Sequence, residues 1–330
     1  MEYRQLGRTG LRVSSLGFGC GAVGGLLIKG DHKDKVKVVA RAIELGVSYF
    51  DTARAYGNGT SEASLGLVLE ELGADVVVGT KVNLRAEEMS DIEQSIIDSV
   101  EGSLTRLQRE RADLIQLHNG VAARRQPERG WVSVDDVEAA LAAFEKLKQQ
   151  GKVLYYGING LGETEAVHQA VGTERADTIQ CCYNLINPTA GMRAPEAFPF
   201  QDYRQLVDRA ADKQMGVIAI RVLAAGALSG STTRHPNAAQ SVGPIATSAS
   251  YAEDVALAKR FSFLVESGHV ESLVEAAIRF VVGKDEVSTT LVGISNMEQL
   301  EQAVTFANRG PLPAEALDRL PEVWTTYTAG

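Results

Sequence analysis

Cysteine is scarce in this chain, with three in 330 residues: Cys20, Cys181 and Cys182. They form neither a disulfide framework nor a spaced zinc pattern. Cys181 and Cys182 are adjacent, and adjacent cysteines bridge only under strain. Reduced thiols and a cytoplasmic setting are therefore expected. Basic charge is also in deficit. Lys+Arg number 33 against 42 Asp+Glu, a net charge of −9, and no dense basic run occurs. That argues against nucleic acid or an anionic membrane surface as partner. No apolar run reaches the roughly 18 residues of a membrane span, and the first ten residues lack the apolar core of a signal peptide. No His/Asp/Glu group has metal-ligand spacing, so no metal is expected. A doubly wound open sheet is the structural rival of the fold read below.

What is present is a repeat. A short apolar run followed by an amphipathic stretch recurs eight times. The runs are Ser15–Gly19, Val47–Phe50, Val76–Thr80, Leu114–Leu117, Val153–Ile158, Thr178–Gln180, Gly216–Ile220 and Thr289–Val292. Helices are predicted at Lys33–Leu45, Glu62–Leu72, Ile92–Leu107, Val134–Gln149, Thr164–Val171, Asp202–Lys213, Ser250–Ser267, Val270–Val282 and Met297–Asn308. In Ile92–Leu107 the apolar residues Ile96, Val100, Leu104 and Leu107 share one face. Near-continuous apolar strands imply a parallel sheet covered on both sides. Eight strand–helix units predict an α/β fold: a single-domain (β/α)8 TIM barrel over residues 1–330, preceded by an N-terminal β-hairpin within Glu2–Arg12. Two long connections, 119–133 and 224–249, leave the C-terminal ends of strands four and seven. That is the face where barrels build active sites.

Four polar residues sit at or just past the ends of consecutive predicted strands: Asp51, Tyr56, Lys81 and His118. Taken singly each has a bland reading, as helix cap, packing group, solvated cation or structural histidine. Converging on one mouth they suit carbonyl reduction, in which an alkoxide left by hydride attack needs polarisation and a proton. Tyr56 is the candidate proton donor and acceptor. Lys81 is expected to draw its pKa down from near 10, Asp51 to hold Lys81 charged, and His118 to hydrogen-bond the carbonyl oxygen. Lys81 on a strand end also fits a Schiff-base aldolase, but that reading leaves Tyr56 unused.

The sequence resembles the aldo-keto reductase family along essentially its whole length. The resemblance is carried by Leu6-Gly7-Arg8-Thr9-Gly10-Leu11, Leu16-Gly17-Phe18-Gly19, Phe50-Asp51-Thr52-Ala53, Tyr56-Gly57, Ser61-Glu62, Gly79-Thr80-Lys81, Leu117-His118, Tyr183-Asn184-Leu185, Leu223-Ala224-Ala225-Gly226-Ala227-Leu228-Ser229-Gly230 and Val292-Gly293-Ile294-Ser295. The family's Asp, Tyr, Lys and His fall on Asp51, Tyr56, Lys81 and His118. The resemblance implies an NAD(P)(H)-dependent aldehyde, ketone or sugar oxidoreductase, similar to bacterial aldose dehydrogenases or general aldehyde reductases. A regulatory, redox-sensing subunit of the same fold is the alternative it also implies.

The resemblance further implies cofactor contacts at Gly19, Cys20, Gly21 and Asp51, at Gln180, and at Ile220, Arg221, Leu223, Gly226 and Leu228. Gly293, Ser295, Asn296, Gln299 and Gln302 would receive the adenine end. The family's Ser-Asn pair after strand five is replaced by Asn159-Gly160, so Asn159 is expected to do the work of two side chains. Ile220 stands where an aromatic often stacks on the nicotinamide. Arg221 follows it, expected on the cofactor pyrophosphate, with a rim salt bridge as its bland reading. The stretch Gly293–Gln302 contains no cation. It therefore favours NAD(H), while family prevalence favours NADP(H). Tyr56, His118 and Trp131 are the expected substrate contacts. The expected partner is a small carbonyl or sugar molecule, and the protein is a monomer or homo-oligomer.

Overall fold

The computed structural model describes residues 1–327. Eight parallel strands close into a barrel: β1 Leu16–Gly19, β2 Tyr49–Asp51, β3 Val77–Val82, β4 Ala112–Leu117, β5 Val153–Asn159, β6 Thr178–Cys182, β7 Gly216–Ile220 and β8 Thr289–Gly293. Each pairs with the next in sequence, β5 adjoins β6, and β8 returns to β1. This sequential order is what right-handed strand–helix–strand units produce when the sheet curls shut.

The outer ring is formed by α1 His32–Glu44, α2 Thr60–Leu72, α3 Ile92–Leu107, α4 Val134–Gln149, α5 Thr164–Gly172, α6 Leu206–Asp212, α7 Leu273–Val282 and α8 Met297–Asn308. Several starts are legible as caps. Asp31, Asp91, Ser272 and Asn296 each accept a hydrogen bond from the backbone N–H three residues on, and Ser133 with Asp136 forms a reciprocal capping box. The apolar face of α3 buries Ile96, Val100, Leu104 and Leu107, as the spacing predicts.

The N-terminal hairpin pairs Tyr3–Gln5 with Arg12–Ser14 and plugs the bottom of the barrel. Its Leu6 and Val13 pack with Tyr49, Leu114, Ile218 and Leu291 in a small interior cluster. The site must therefore open at the other end.

Two helix predictions need correction, and one helix was not predicted. The stretch Asp202–Lys213 is helical only from Leu206, because Arg204 and Gln205 adopt left-handed backbone (φ 48° and 55°) and the Tyr203 N–H is claimed by Thr189 Oγ1 at 2.9 Å. Ser250–Ser267 breaks into Tyr251–Ala258 and Phe263–Glu266 around a 3-10 turn at Lys259–Phe261. A further helix, Ala314–Thr325, is unexpected from the repeat and packs Ala316, Leu320 and Trp324 inward. Among the described residues no helix is long and apolar enough to cross a membrane.

Candidate active site

Register fixes the site. Asp51, the last residue of β2, lies beside Gly19 on one neighbouring strand and Gly79 on the other. Lys81 is two residues beyond Gly79 and pairs with Gln116 on β4. His118 follows β4, its N–H bonded to Val82 O at 2.7 Å. Each side chain thus projects into the same mouth. The loop from Asp51 to Tyr56 is braced from behind. Thr52 and Ser61 share a hydrogen bond of 2.8 Å, and Ser61 donates to Cys20 O at 2.9 Å. The fully buried Glu62 receives Thr80 Oγ1 and Arg106. Ser61-Glu62 is therefore scaffolding for the loop that carries Tyr56.

At the centre the Lys81 ammonium donates to Asp51 Oδ1, to Thr52 O at 2.7 Å and to the Tyr56 hydroxyl at 3.2 Å. The Tyr56 ring meets His118 edge-on, centroids 5.7 Å apart. Burial pushes the Asp51 carboxyl up, against the pull of Lys81, Tyr49 and Gln180. Burial works against the Lys81 ammonium, but Asp51 and Tyr56 outweigh it, and Lys81 stays protonated. For Tyr56 the balance differs from the sequence expectation. Lys81 does pull the phenol down, yet burial and the nearby Asp51 charge push it up by more. The phenol is held in its protonated form, the one a proton donor needs.

Burial, aided by the Lys81 charge, pushes His118 from the usual 6.5 to about 3, so the imidazole is neutral across the working range. A neutral ring can offer an N–H to an oxygen without competing for its proton. One consequence is measurable. Between about pH 6.5 and 3 the unfolded chain binds a proton that folded His118 refuses, so stability falls as pH drops through that window. In H118N, urea unfolding should show an acid slope shallower by about one proton; an unchanged slope would mean His118 titrates normally in the folded protein.

A cavity of about 690 Å³ runs from Asp51, Tyr56 and His118 past Asn159, Gln180, Ile220, Arg221, Leu223 and Gly226 to Gly293, Ser295, Gln299 and Gln302. Its size is that of a cofactor or ligand site. Gly19 and Gly21 line it near the four polar residues, and a Cβ at Gly21 would crowd the Tyr56 ring. A second groove of about 520 Å³ at the plugged end is lined by Glu2, Arg4, Arg8 and Glu286 and holds none of the four.

Not every residue singled out from the sequence faces the cavity. Cys20 is buried with its thiol on Phe18 O, Leu228 is buried in the core, and Asn296 caps α8 through Gln299 N. Trp131 lies outside the lining. It pairs with Gly120 in a two-stranded cap and is covered by Arg129, whose guanidinium stacks 3.6 Å above its ring.

Conversely, the loop after β7 brings residues that sequence reasoning passed over. Thr233, Arg234, His235, Ala238 and Ile245 line the cavity. This loop closes against the loop after β1: Ala239 N bonds Ala22 O at 2.8 Å, and Lys29 Nζ bonds Ala238 O at 3.2 Å. Gly25, with φ 80°, leaves no room for a Cβ beside Asn237. A lone Arg in a long Ser- and Gly-rich loop was the available signal for Arg234, but its reach depends on that crossing. Arg221 also faces the cavity, making one bond, to Gly243 O at 3.2 Å. Among the described residues neither arginine has a carboxylate partner, so the rim salt bridge considered for Arg221 is not formed.

The sequence profile described as the Aldo/keto reductase family matches residues 15–325. An uncharacterized oxidoreductase of Bacillus subtilis, YqkF, is 27% identical over 97% of this chain and 95% of its own length. L-galactose dehydrogenase of Arabidopsis thaliana is 30% identical over 92% of this chain and 87% of its own. Among solved structures, the holo form of aldo-keto reductase AKR11C1 from Bacillus halodurans superposes with a TM-score of 0.71 at 25% identity, covering 100% of this chain and 97% of that one. The barrel, the lysine-centred site at its mouth and these matches agree: the chain belongs to the aldo/keto reductase family of nicotinamide-dependent oxidoreductases.

Proposed function

We propose that the protein acts as one barrel unit that interconverts the carbonyl and hydroxyl forms of a small aldehyde, ketone or sugar. The observation that carries this is the Lys81 ammonium bonded at once to Asp51, Thr52 O and the Tyr56 hydroxyl, beside a cavity of about 690 Å³ whose lining runs on to Gln302. The bound nicotinamide supplies or accepts the hydride. In the reductive direction Tyr56 gives its proton to the developing alkoxide, and Lys81 stabilises the phenolate left behind. Asp51 keeps Lys81 in place. His118, neutral, donates a hydrogen bond to the substrate oxygen and polarises it. Leu161 and Ile245 add apolar surface that keeps water from the reacting atoms. Trp131 is left out of the substrate contacts.

The donor set of the cavity fits a nicotinamide dinucleotide. Asn159 donates one amide N–H to His118 O (2.9 Å) and accepts from Leu161 N (3.3 Å), and Gln180 donates one to Asp51 Oδ2 (2.8 Å). The Gln180 carbonyl oxygen and the second N–H of each amide are the groups that would meet the carboxamide. Ile220 would give the ring an apolar face. Arg221, with most of its N–H groups uncommitted, would hold the pyrophosphate. Arg234 spends its N–H groups on the carbonyls of Ala225, Ala239 and Val23 and contributes positive charge. Ser295, Gln299 and Gln302 would receive the adenine end with neutral donors, which suits NAD(H), and Arg234 adds a cation that suits NADP(H) as well.

Two measurements test this. Following absorbance at 340 nm with NADH or NADPH and a panel of aldehydes, ketones and sugars should reveal turnover; cofactor binding with no turnover across the panel would instead favour the sensing subunit. Removing one charge-assisted contact in R221M should weaken binding of both cofactors by roughly 10–100-fold in fluorescence titration. Unchanged affinity would return Arg221 to a structural role.

A further inference from the structure

Directly beneath the Lys81–Asp51 pair lies a second tyrosine. Tyr49 and Asp51 share the inward face of β2, two residues apart. Tyr49 is wholly buried, and its hydroxyl donates to Asp51 Oδ2 at 3.2 Å. The same oxygen receives Gln180 Nε2 from β6, while Oδ1 is taken by Lys81. The sequence leaves space for this phenol. A Cβ at Gly79 of β3 would strike the Tyr49 hydroxyl oxygen, whereas one at Gly17 of β1 would meet Leu291 and Thr289 before the Tyr49 ring. Gly79 has no positive φ, so it is not there for its backbone. It vacates the volume that the hydroxyl of a tyrosine, absent from a phenylalanine, fills.

We propose that Tyr49 is a positioning residue for proton transfer, holding the Asp51 carboxylate through its hydroxyl so that Asp51 in turn holds Lys81 against Tyr56. This rests on the reading of Tyr56 as proton donor. A carboxylate cut off from water keeps its charge only if donors replace the water. Asp51 has three side-chain donors, Lys81, Gln180 and Tyr49, so losing one raises its proton affinity. The groups that face Asp51 are Lys81 from β3, Tyr56 from the loop after β2, Tyr49 below it, and the Cys20 thiol after β1. Gln180 is uncharged. Tyr49 itself stays a donor throughout, because burial and the adjacent carboxylate push its ionisation well above the ordinary phenol range.

The test is the pH profile of kcat for Y49F, with G79A and Y56F beside it. Y49F keeps the ring and loses only the hydroxyl. It should lower kcat with KM and cofactor affinity unchanged, and move the acidic edge of the profile up by about one pH unit, the size of one lost hydrogen bond to a charge. G79A, at a position outside the cavity lining, pushes the hydroxyl off Asp51 and should produce the same shift. Y49F/G79A should shift no further than Y49F alone. If Y49F does not fold, as read by its melting curve, G79A carries the test. A profile superimposable on the parent's in the folded variant overturns the proposal. Parent-level turnover in Y56F would overturn the underlying reading instead, whatever Y49F does.

Discussion

Y56F is expected to lower kcat by about 10²–10⁴-fold, the range of one general acid–base group, with cofactor affinity unchanged. In the proposed mechanism the hydroxyl meets the substrate oxygen in the transition state and contributes little to binding, so the loss should fall on kcat and kcat/KM alike. No neighbour can replace it. His118 is held neutral, its pKa pushed to about 3, so it has no proton to spare near pH 7. Asp51 has both oxygens committed to Lys81, Gln180 and Tyr49. The Lys81 ammonium is locked between Asp51 and Thr52 O. What remains in Y56F is polarisation by His118 and the positioning of reactants, which is worth a residual rate above the uncatalysed one. Steady-state kinetics on the best substrate of the panel measures this. A loss smaller than about ten-fold would place the proton donor elsewhere and remove the main argument for these four residues.

The reach of the sequence follows from how local each feature is. Barrel strands were legible because a buried parallel strand needs a short, continuous apolar run, and Val153–Asn159 or Gly216–Ile220 is little else. The four central residues were legible because each ends a strand or follows one closely, and barrel closure alone brings those ends together. Features that depend on two distant segments meeting were not. Trp131 was expected at the substrate from its place in a loop at the correct end, but it pairs with Gly120 under Arg129 and lies outside the cavity lining. Arg234 looked like loop, but the closure of that loop against Ala22 and Val23 puts it on the cavity wall. Helix α6 lost its first turn to tertiary bonds around Tyr203 that no local propensity encodes. The direction of the Tyr56 shift was missed for a related reason. The pull of Lys81 follows from sequence adjacency of strands, whereas the depth of burial that outweighs it is a property of the finished barrel.

That depth also sets the second large effect. K81M is expected to destabilise the fold by about 3–5 kcal/mol, because it strands a fully enclosed carboxylate without its counter-ion. The loss of activity should be at least as severe as in Y56F, since the phenolate then has no ammonium beside it. Its pH dependence has a definite sign. With Lys81 gone, the folded-state pKa of Asp51 rises further above its unfolded value. A carboxyl raised in this way makes the folded state bind the extra proton, so the deficit is largest at neutral pH and shrinks as pH falls toward about 4. Removing both charges should behave differently from removing one. D51N/K81M leaves no uncompensated charge at this point of the barrel. The carboxamide introduced by D51N keeps an oxygen that can accept from Tyr49 or Gln180, so much of the stability should return while turnover does not. Urea unfolding of the parent, K81M and the double variant at pH 5 and 8 separates the electrostatic role of the pair from its role in proton transfer. If the double variant is no more stable than K81M, the ion pair is not what holds this part of the barrel together, and the stability assigned to it must come from the packing of the methylene chain of Lys81.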